Sequence, residues 1–322
     1  MIRHKLKVLV FIFFCSRLLY GQEFGADLNY QMLMISNPAL TGSEGDGKLR
    51  MSYLNNYPGN SYNLNFICLS YDGYFPGLHG GAGFFISDNC LGGVLNDLQG
   101  GFSYSYYLQA GEDIFISGGL SASFYHRGYN TGSVILPDQI DPLSGVIYPA
   151  GEVLPVKGRT KVDISTGFLI MTGRSFGGVA VSHLTEPDLS NTGDVEMKMR
   201  RKLFLHFCTE VDLGPGKTLV LQPLTGIEIS GNRLSAALAT GFRVKYLTIS
   251  SIFLSDNNKN LDLQPGFSFT LGGITIYYDY RFNLISGSNL FPFSLQHRTG
   301  IALSLNNVDK RKTIKTINFP KL

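Results

Sequence analysis

One short stretch carries residue types that could bind a phosphate group. Gly216-Lys217-Thr218 has the form of the end of a phosphate-binding loop. That loop needs a glycine five residues earlier, where this chain has Val211, and it needs a helix afterwards. The residues that follow, Leu219-Val220-Leu221, are typical of a strand instead. We therefore expect a hairpin turn here and no nucleotide site.

Oxygen-bearing side chains also recur at alternate positions, as in the first half of a calcium loop. They are Asp256, Asn258, Asn260 and Asp262. The central glycine of such a loop is Leu261 here, and the closing glutamate is Phe267. Asn and Asp are also common in turns for conformational reasons alone. We expect a turn, with a calcium site as the alternative.

Catalytic histidine or serine arrangements are not indicated. The histidines of the mature chain lack an HExxH spacing, and no Gly-x-Ser-x-Gly elbow occurs. Ser121 and Ser123 precede His126, but on one strand the two serines share a face that excludes His126. We expect no enzyme active site and no bound cofactor.

The cysteines that follow the N-terminal region are Cys68, Cys90 and Cys208. They are far apart, odd in number and free of any CxxC pair, so neither a disulfide framework nor a zinc site is indicated. We expect buried or lipid-facing small apolar residues.

In the segments that would position these residues, apolar and polar residues alternate with a period of two. In residues 98–109, Phe102, Tyr104 and Tyr106 alternate with small polar residues such as Ser103 and Ser105. Charged residues are only 16% of the chain, while glycine (38), tyrosine (17) and phenylalanine (23) are abundant. The net charge of +3 comes without a basic stripe in the body of the chain, so no nucleic-acid partner is expected.

Long alternating strands with aromatic ends favour a barrel in a membrane over a soluble sandwich. We therefore predict an all-β fold, a transmembrane antiparallel β-barrel of about fourteen strands. The predicted strands lie near 48–57, 61–74, 79–87, 97–109, 112–126, 161–172, 175–184, 199–213, 217–230, 233–243, 244–255, 260–271, 273–284 and 296–305. The long connections at 127–160 and 185–198 are expected to face outside.

The two ends of the chain have a different character. Residues 1–21 have a basic start and a short apolar run, which is typical of a signal peptide. Residues 22–46 are predicted as an N-terminal periplasmic segment, residues 47–305 as the outer-membrane barrel, and residues 306–322 as a basic C-terminal tail. An alternative puts the last strand near Thr313–Phe319. A lipid anchor at Cys15 is disfavoured by the bulky Phe13 and Phe14 before it.

Two sequence blocks carry a resemblance to a known family. The first contains Tyr30-Gln31-Met32 and then Asn37-Pro38-Ala39 with Gly42, and the second contains 163–168 followed by Gly177 to Pro187. Together they resemble the PorP/SprF family of outer-membrane proteins, associated with the type IX secretion system of Bacteroidetes. The candidate site residues are those that match the two blocks, with a structural or partner-contact role: Asn37, Pro38, Ala39, Gly42, Ser182, His183, Leu184, Thr185 and Pro187.

The resemblance implies a function in protein export without catalysis. It implies a barrel that helps export a secreted protein, such as a gliding adhesin, or holds it at the cell surface. The implied partners are outer-membrane lipid, type IX components including the periplasmic ring, and the C-terminal domain of the secreted client. The alternative function is a passive porin or a hydrophobic-solute transporter, which planar-bilayer conductance would reveal.

Overall fold

A computed structural model describes residues 32–56, 64–130, 139–140, 147, 158–190, 197–213, 219–285 and 296–305. Strands make up most of these residues, and every strand pairs antiparallel with its neighbours. The strands are β1 Lys48–Asn56, β2 Leu64–Phe75, β3 Gly80–Leu91, β4 Leu95–Gln109, β5 Ile114–Tyr129, β6 Arg159–Thr172, β7 Ser175–Ser182, β8 Lys202–Thr209, β9 Val211–Leu213, β10 Leu219–Ser230, β11 Arg233–Val244, β12 Leu247–Asp256, β13 Leu261–Leu271, β14 Ile274–Ile285 and β15 Gln296–Ser304.

The sheet closes on itself because β15 pairs with β1, with Lys48 opposite Ser304 and Asn56 opposite Gln296. The short strands β8 and β9 flank Glu210 and both pair with β10, so they occupy one place in the wall. The result is a closed antiparallel barrel of fourteen strands, which confirms the predicted fold class and the predicted strand count.

The two faces of the wall differ as the period of two predicts. Along β4, Phe102 is 75% exposed and Tyr104 and Tyr106 are also exposed, while Ser103 and Ser105 are buried. The buried set lies inside the barrel. The apolar set lies outside, where it would meet lipid.

The connections define two ends of the barrel. One end carries the starts of β1 and β3 and short turns such as Gly173-Arg174, Lys245-Tyr246 and Gly272-Gly273. We call it the short-turn end. The opposite end carries the connections from β5 to β6 and from β7 to β8, at 130–158 and 183–201, and we call it the long-loop end.

Before β1 lies a non-strand segment, residues 32–46, which we call the strap. It contains the helical turn α1 (Leu33–Ser36) and the 3-10 turn η1 (Pro38–Leu40). The strap lies inside the barrel and contacts β4, β5 and β6. The sequence analysis placed residues 22–46 in an N-terminal periplasmic segment, and the described part of that segment, residues 32–46, packs against the inner wall of the barrel.

Other predictions about the chain ends fall on residues that are not described, namely 1–31 and 306–322. The closing strand is β15 rather than a strand near Thr313–Phe319, since β15 completes the ring with β1. No helix in the described ranges is long and apolar enough to cross a membrane.

Candidate functional site

The strap turns sharply at its first signature residue. Asn37 has an extended backbone (φ −141°), and its side-chain oxygen accepts a hydrogen bond from the Ala39 backbone N–H at 3.0 Å. Pro38 follows at the first position of η1, where its fixed φ and missing N–H are both tolerated. The amino acids Asn-Pro-Ala therefore form a capped turn by local chemistry alone.

A row of glycines on the inner wall makes room for this turn. They are Gly81 on β3, Gly119 on β5, Gly167 on β6 and Gly178 on β7, and we call them the glycine trench. A Cβ at Gly119 would lie 2.3 Å from backbone atoms of Pro38 and Ala39, and one at Gly167 would lie 2.0 Å from Asn37 Oδ1. Side chains larger than hydrogen are thus excluded where the strap lies on the wall.

Hydroxyl groups between the glycines satisfy the strap's backbone. Ser117 donates to the Ala39 carbonyl at 2.8 Å, Ser105 donates to the Thr41 carbonyl at 2.6 Å, and the Tyr107 hydroxyl donates to the Thr41 carbonyl at 2.9 Å. Buried carbonyls outside a sheet need such partners, because an unpaired one costs about 1–3 kcal/mol. The serine-rich inner face of β4 and β5 is therefore a docking surface for main chain.

The Asn37 side chain connects the strap to strands β6 and β8. Its amide nitrogen lies 2.8 Å from Nε2 of His206 on β8 and 3.5 Å from the carbonyl of Phe168 on β6. Because Asn37 Oδ1 already accepts from Ala39, its amide nitrogen is the donor and His206 Nε2 is the acceptor. His206 is held between the rings of Phe204 and Phe176, so its position is also fixed by packing.

The C-terminal part of the strap is held by charge. The backbone N–H of Gly42 donates to Asp72 at 2.7 Å, and Asp72 also pairs with Arg50. Arg50 pairs in turn with Glu44 of the strap. Gly42 has φ +69°, and an added Cβ would meet backbone atoms of Gly73 and Gly81 at 2.6 Å. A signature glycine is required here both by conformation and by close approach.

An apolar cluster lies on the inner wall close to the strap. Leu40 belongs to one buried cluster with Leu169 of β6, Leu224 of β10 and Ile252 of β12. The strands between β6 and β12 also contribute to this cluster, so it follows the inner wall along neighbouring strands. The packing anchors Leu40 of the strap to this part of the wall.

The second signature block lies toward the long-loop end. His183 Nδ1 lies 2.8 Å from Asp163 Oδ2, and Thr185 Oγ1 donates to Asp163 Oδ1 at 2.8 Å. The Leu184 N–H donates to the Ile164 carbonyl at 3.0 Å. His183 adopts a left-handed backbone (φ +58°), which lets the chain fold back on β6 immediately after Ser182. We call residues 182–187 the signature turn.

The signature turn covers an edge of β6. β6 pairs with β5 from Arg159 to Thr172 but with β7 only from Thr166 onward, so the strand extends beyond its neighbour at the long-loop end. Thr185 Oγ1 also donates to the Val162 carbonyl at 3.1 Å. Covering an unpaired edge is a common need of sheets. The buried Pro187 continues the cover by accepting from the Met199 N–H at 3.0 Å.

The nine predicted site residues thus fall into two groups, and both groups reach β6. Asn37 and its turn lie against Gly167 of β6, while Gly42 lies farther along the strap against β2 and β3. The signature turn binds Asp163 of β6. The two β6 positions are about 13 Å apart along the strand. Sequence reasoning missed His206 and Gly119, although a glycine inside a strand is a signal for close backbone approach.

The candidate chemical motifs have structural roles in the described residues. Asp256 accepts hydrogen bonds from the Asn258 and Asn260 backbone amides, which makes a hairpin turn, while Asp262 pairs with Arg281. Ser123 is buried inside the wall and His126 is exposed. Residues 214–218, with the glycine-lysine-threonine motif, are not described.

Metal ligands and thiols give no further site in the described ranges. No group of three or more His, Cys, Asp or Glu side chains there is placed to hold a metal ion. Cys68, Cys90 and Cys208 are free thiols, and the first and last are buried.

Residues 27–296 match the sequence profile of a family described as type IX secretion system membrane protein PorP/SprF. The chain belongs to the PorP/SprF family. This confirms the resemblance that the two sequence blocks indicated. It also agrees with the meeting of those blocks at one strand inside the barrel. No protein with a curated description matches the chain.

Solved outer-membrane barrels share the fold. A deletion mutant (ΔS2S3) of the monoaromatic hydrocarbon channel TodX matches with a TM-score of 0.52 at 13% identity, over 84% of this chain and 93% of that one. The toluene transporter TodX of Pseudomonas putida matches at 0.47 with 11% identity, over 84% and 92% of the two chains. Omp33 of Acinetobacter baumannii matches at 0.48 with 8% identity, over 82% and 99%. At these identities the likeness concerns the fold alone.

Proposed function

We propose that this PorP/SprF protein is a non-enzymatic component of type IX secretion in the outer membrane, exported there through a signal peptide, which helps export or surface-anchor a secreted protein such as a gliding adhesin. Family membership supports the secretion role. The observation that carries the proposal is the interior of the barrel, which is built to hold a polypeptide segment by its main chain.

The strap demonstrates what the interior can bind. Two of its carbonyls are held by three wall hydroxyls and its Asn37–Pro38 turn lies on glycines, so recognition involves backbone more than particular side chains. A wall with this chemistry suits a protein whose task is to hold other polypeptides. The position of the strap inside the barrel, with Leu40 packed against the wall, argues against a wide open passage.

The two ends of the barrel suggest two sets of partners. Barrels of this kind place short turns in the periplasm and long loops outside. The short-turn end, where β1 begins after the strap, would then meet the periplasmic ring of the secretion apparatus. The long-loop end would meet the C-terminal domain of the secreted client, with outer-membrane lipid around the apolar outer face.

Deletion of the gene, followed by complementation, tests the role in secretion. We expect the client to be lost from the cell surface in the deletion strain and restored by the wild-type chain. We also expect the client to co-purify with the tagged barrel after gentle detergent extraction. Normal surface display of all type IX clients in the deletion strain would refute the proposal.

Planar-bilayer conductance separates the proposal from a passive porin or a hydrophobic-solute transporter. The purified protein is expected to give no steady large channels, because the strap lies inside the barrel and narrows the passage. Steady channels of constant size in the wild type would favour the porin.

A further inference from the structure

At the long-loop end, strand β6 extends further than its neighbour β7. β6 begins at Arg159, but its pairing with β7 begins only at Thr166, opposite Val181. On the other side, β5 pairs with the whole of β6. Residues 159–165 therefore form a strand edge at the long-loop end, which we call the β6 edge.

The direction of its backbone groups follows from the ladder. In an antiparallel ladder, alternate residues point their N–H and C=O groups to opposite sides. The Ile164 carbonyl accepts from Leu184 on the β7 side, so Ile164, Val162 and Thr160 all direct their backbone groups away from β5. These residues can pair with an added strand without any change in the β5–β6 ladder.

The signature turn covers only part of this edge. It occupies the carbonyls of Ile164 and Val162, through the Leu184 N–H and the Thr185 hydroxyl. In the described ranges no hydrogen bond reaches the backbone of Thr160. Arg159 and Thr160 are exposed, and Val162 is 66% exposed.

The side chains along the edge define the chemistry of an added strand. Lys161 lies on the same inner face as Asp163, as alternation requires, and Arg159 follows on that face. Asp163 is already engaged by His183 and Thr185. Lys161 makes no ion pair with the described residues, and Arg159 donates to the Ser190 carbonyl. On the outer face Val162 and Ile164 are apolar and exposed.

We propose that the β6 edge binds an extended segment of the exported protein as an added β-strand, with apolar side chains outward and acidic side chains inward beside Lys161 and Arg159. Cross-strand neighbours on one face pair by charge and by shape, which sets this pattern of alternation. Main-chain hydrogen bonds to Val162 and Thr160 supply binding that does not depend on sequence. The inference rests on the proposed secretion role and specifies how the client is held.

The signature turn then acts as a cover that the incoming strand replaces. A strand that extends along the edge to Ile164 must displace the Leu184 and Thr185 hydrogen bonds. Weakening the cover should therefore strengthen binding. Thr185→Val removes the hydroxyl that holds Val162 and Asp163 while conserving the shape of the side chain.

A photo-crosslinking residue in place of Val162 tests the inference in cells that secrete the client. Ile170 is the matched control, because it is an outward, exposed residue of the same strand where β7 is paired. We expect an adduct from position 162, and none from position 170. The crosslinked peptide, identified by mass spectrometry, should belong to an exported protein and alternate apolar with acidic residues.

Three substitutions in the full-length chain sharpen the test. Val162→Pro removes only an N–H that faces the edge, so the barrel should still fold, as checked by heat-dependent gel mobility, while co-purification of the client is lost. Lys161→Glu should weaken co-purification by up to about fivefold, the upper end of what an exposed ion pair contributes. Thr185→Val should increase it.

The outcomes separate the inference from the proposed function. A client that co-purifies equally well with the wild type and the folded Val162→Pro variant, with no adduct from position 162, overturns the β6 edge and leaves the secretion role intact. An adduct with a second copy of this barrel also overturns the inference. If no exported protein co-purifies with the wild type, the proposed function fails and the inference fails with it.

Discussion

Two parts of the inner wall of the barrel provide hydrogen-bond partners for buried polar groups in different ways. The docked wall, β3–β7, presents glycine and serine to the strap. The charged wall, β13–β15, presents long charged side chains that bind one another. Both walls are polar and buried, and both must satisfy their polar groups away from bulk water.

On the charged wall the partners are side chains. Arg281 pairs with Asp262 at 2.6 Å, and Asn283 donates to the same carboxylate at 2.6 Å. Gln264 donates to Asp279 at 2.7 Å. The strap hydrogen bonds to Ser105, Tyr107, Ser117 and His206 lie on other strands. Among the described residues, the long side chains of the charged wall therefore bind one another and not the strap.

The difference shows that the size of the inward-facing side chains indicates whether a wall holds a docked segment. Long side chains can reach each other across neighbouring strands, so they can form hydrogen bonds and ion pairs without a docked polypeptide segment. Glycine and serine cannot fill that space, so a wall made of them requires a polypeptide to complete it. We therefore expect substitutions on the docked wall to act on the strap, and those on the charged wall to act on the barrel alone.

The largest effect is expected from Gly119→Val. Its Cβ would overlap the backbone of Pro38 and Ala39, which cannot move away as a side-chain tip can. The strap should leave the wall at a cost on the order of 1–3 kcal/mol and become sensitive to limited proteolysis. The control is Gly118→Val on the adjacent, outward position, where an added Cβ meets nothing within 4 Å. Equal protease protection in both variants would break the comparison.

A smaller effect is expected from Asn37→Ala. The change removes the donor to His206 and the acceptor for Ala39, both buried, and should weaken strap docking by about 1–3 kcal/mol. Hydrogen exchange of residues 37–42 measures the docking. A double-mutant cycle with His206→Ala should show coupling of at least about 0.5 kcal/mol. Additive effects would mean that the two side chains do not interact.

Arg281→Met tests the charged wall. Breaking the largely buried pair with Asp262 should lower the free energy of barrel unfolding by about 1–3 kcal/mol, with the loss limited because Asn283 still donates to the carboxylate. Strap protection should be unchanged from the wild type. If proteases reach the strap in this variant, the two walls are not independent.

The smallest effect concerns the loop that continues the signature turn. Hydrogen bonds from the Ser190 and Met197 backbone amides hold the pKa of the Asp188 carboxyl below its usual value. This stabilisation is present at neutral pH and is lost as pH falls below the ordinary aspartate value of about 3.9 toward the lowered one. Hydrogen exchange of residues 183–190 should therefore rise slightly in Asp188→Asn at pH 7. An unchanged rate would contradict the role of Asp188.

The barrel fold could be predicted from the local alternation of residues, whereas the contacts inside the barrel could not. Alternation along residues such as Phe102 to Tyr106 determines which face of a strand meets lipid. Each strand therefore shows its outward face in its own sequence. The Asn37–His206 contact joins residues 169 positions apart, and no local pattern predicts it. Gly119 and Gly167 were visible as strand glycines, but only the register places them opposite each other. The resemblance of Asn37 and His183 to a family supplied candidate residues without their contacts.

A disulfide between the strap and the docked wall tests the central claim most directly. Thr41 Oγ1 lies 2.7 Å from Ser103 Oγ, so Thr41→Cys with Ser103→Cys, in a chain whose native cysteines are replaced by serine, should form a disulfide in the membrane. The comparison pair is Thr41→Cys with Ser268→Cys, which lies buried on the charged wall. Mass spectrometry should find the 41–103 crosslink and no 41–268 crosslink. A dominant 41–268 crosslink, or none at all with intact barrels, would contradict the docked strap.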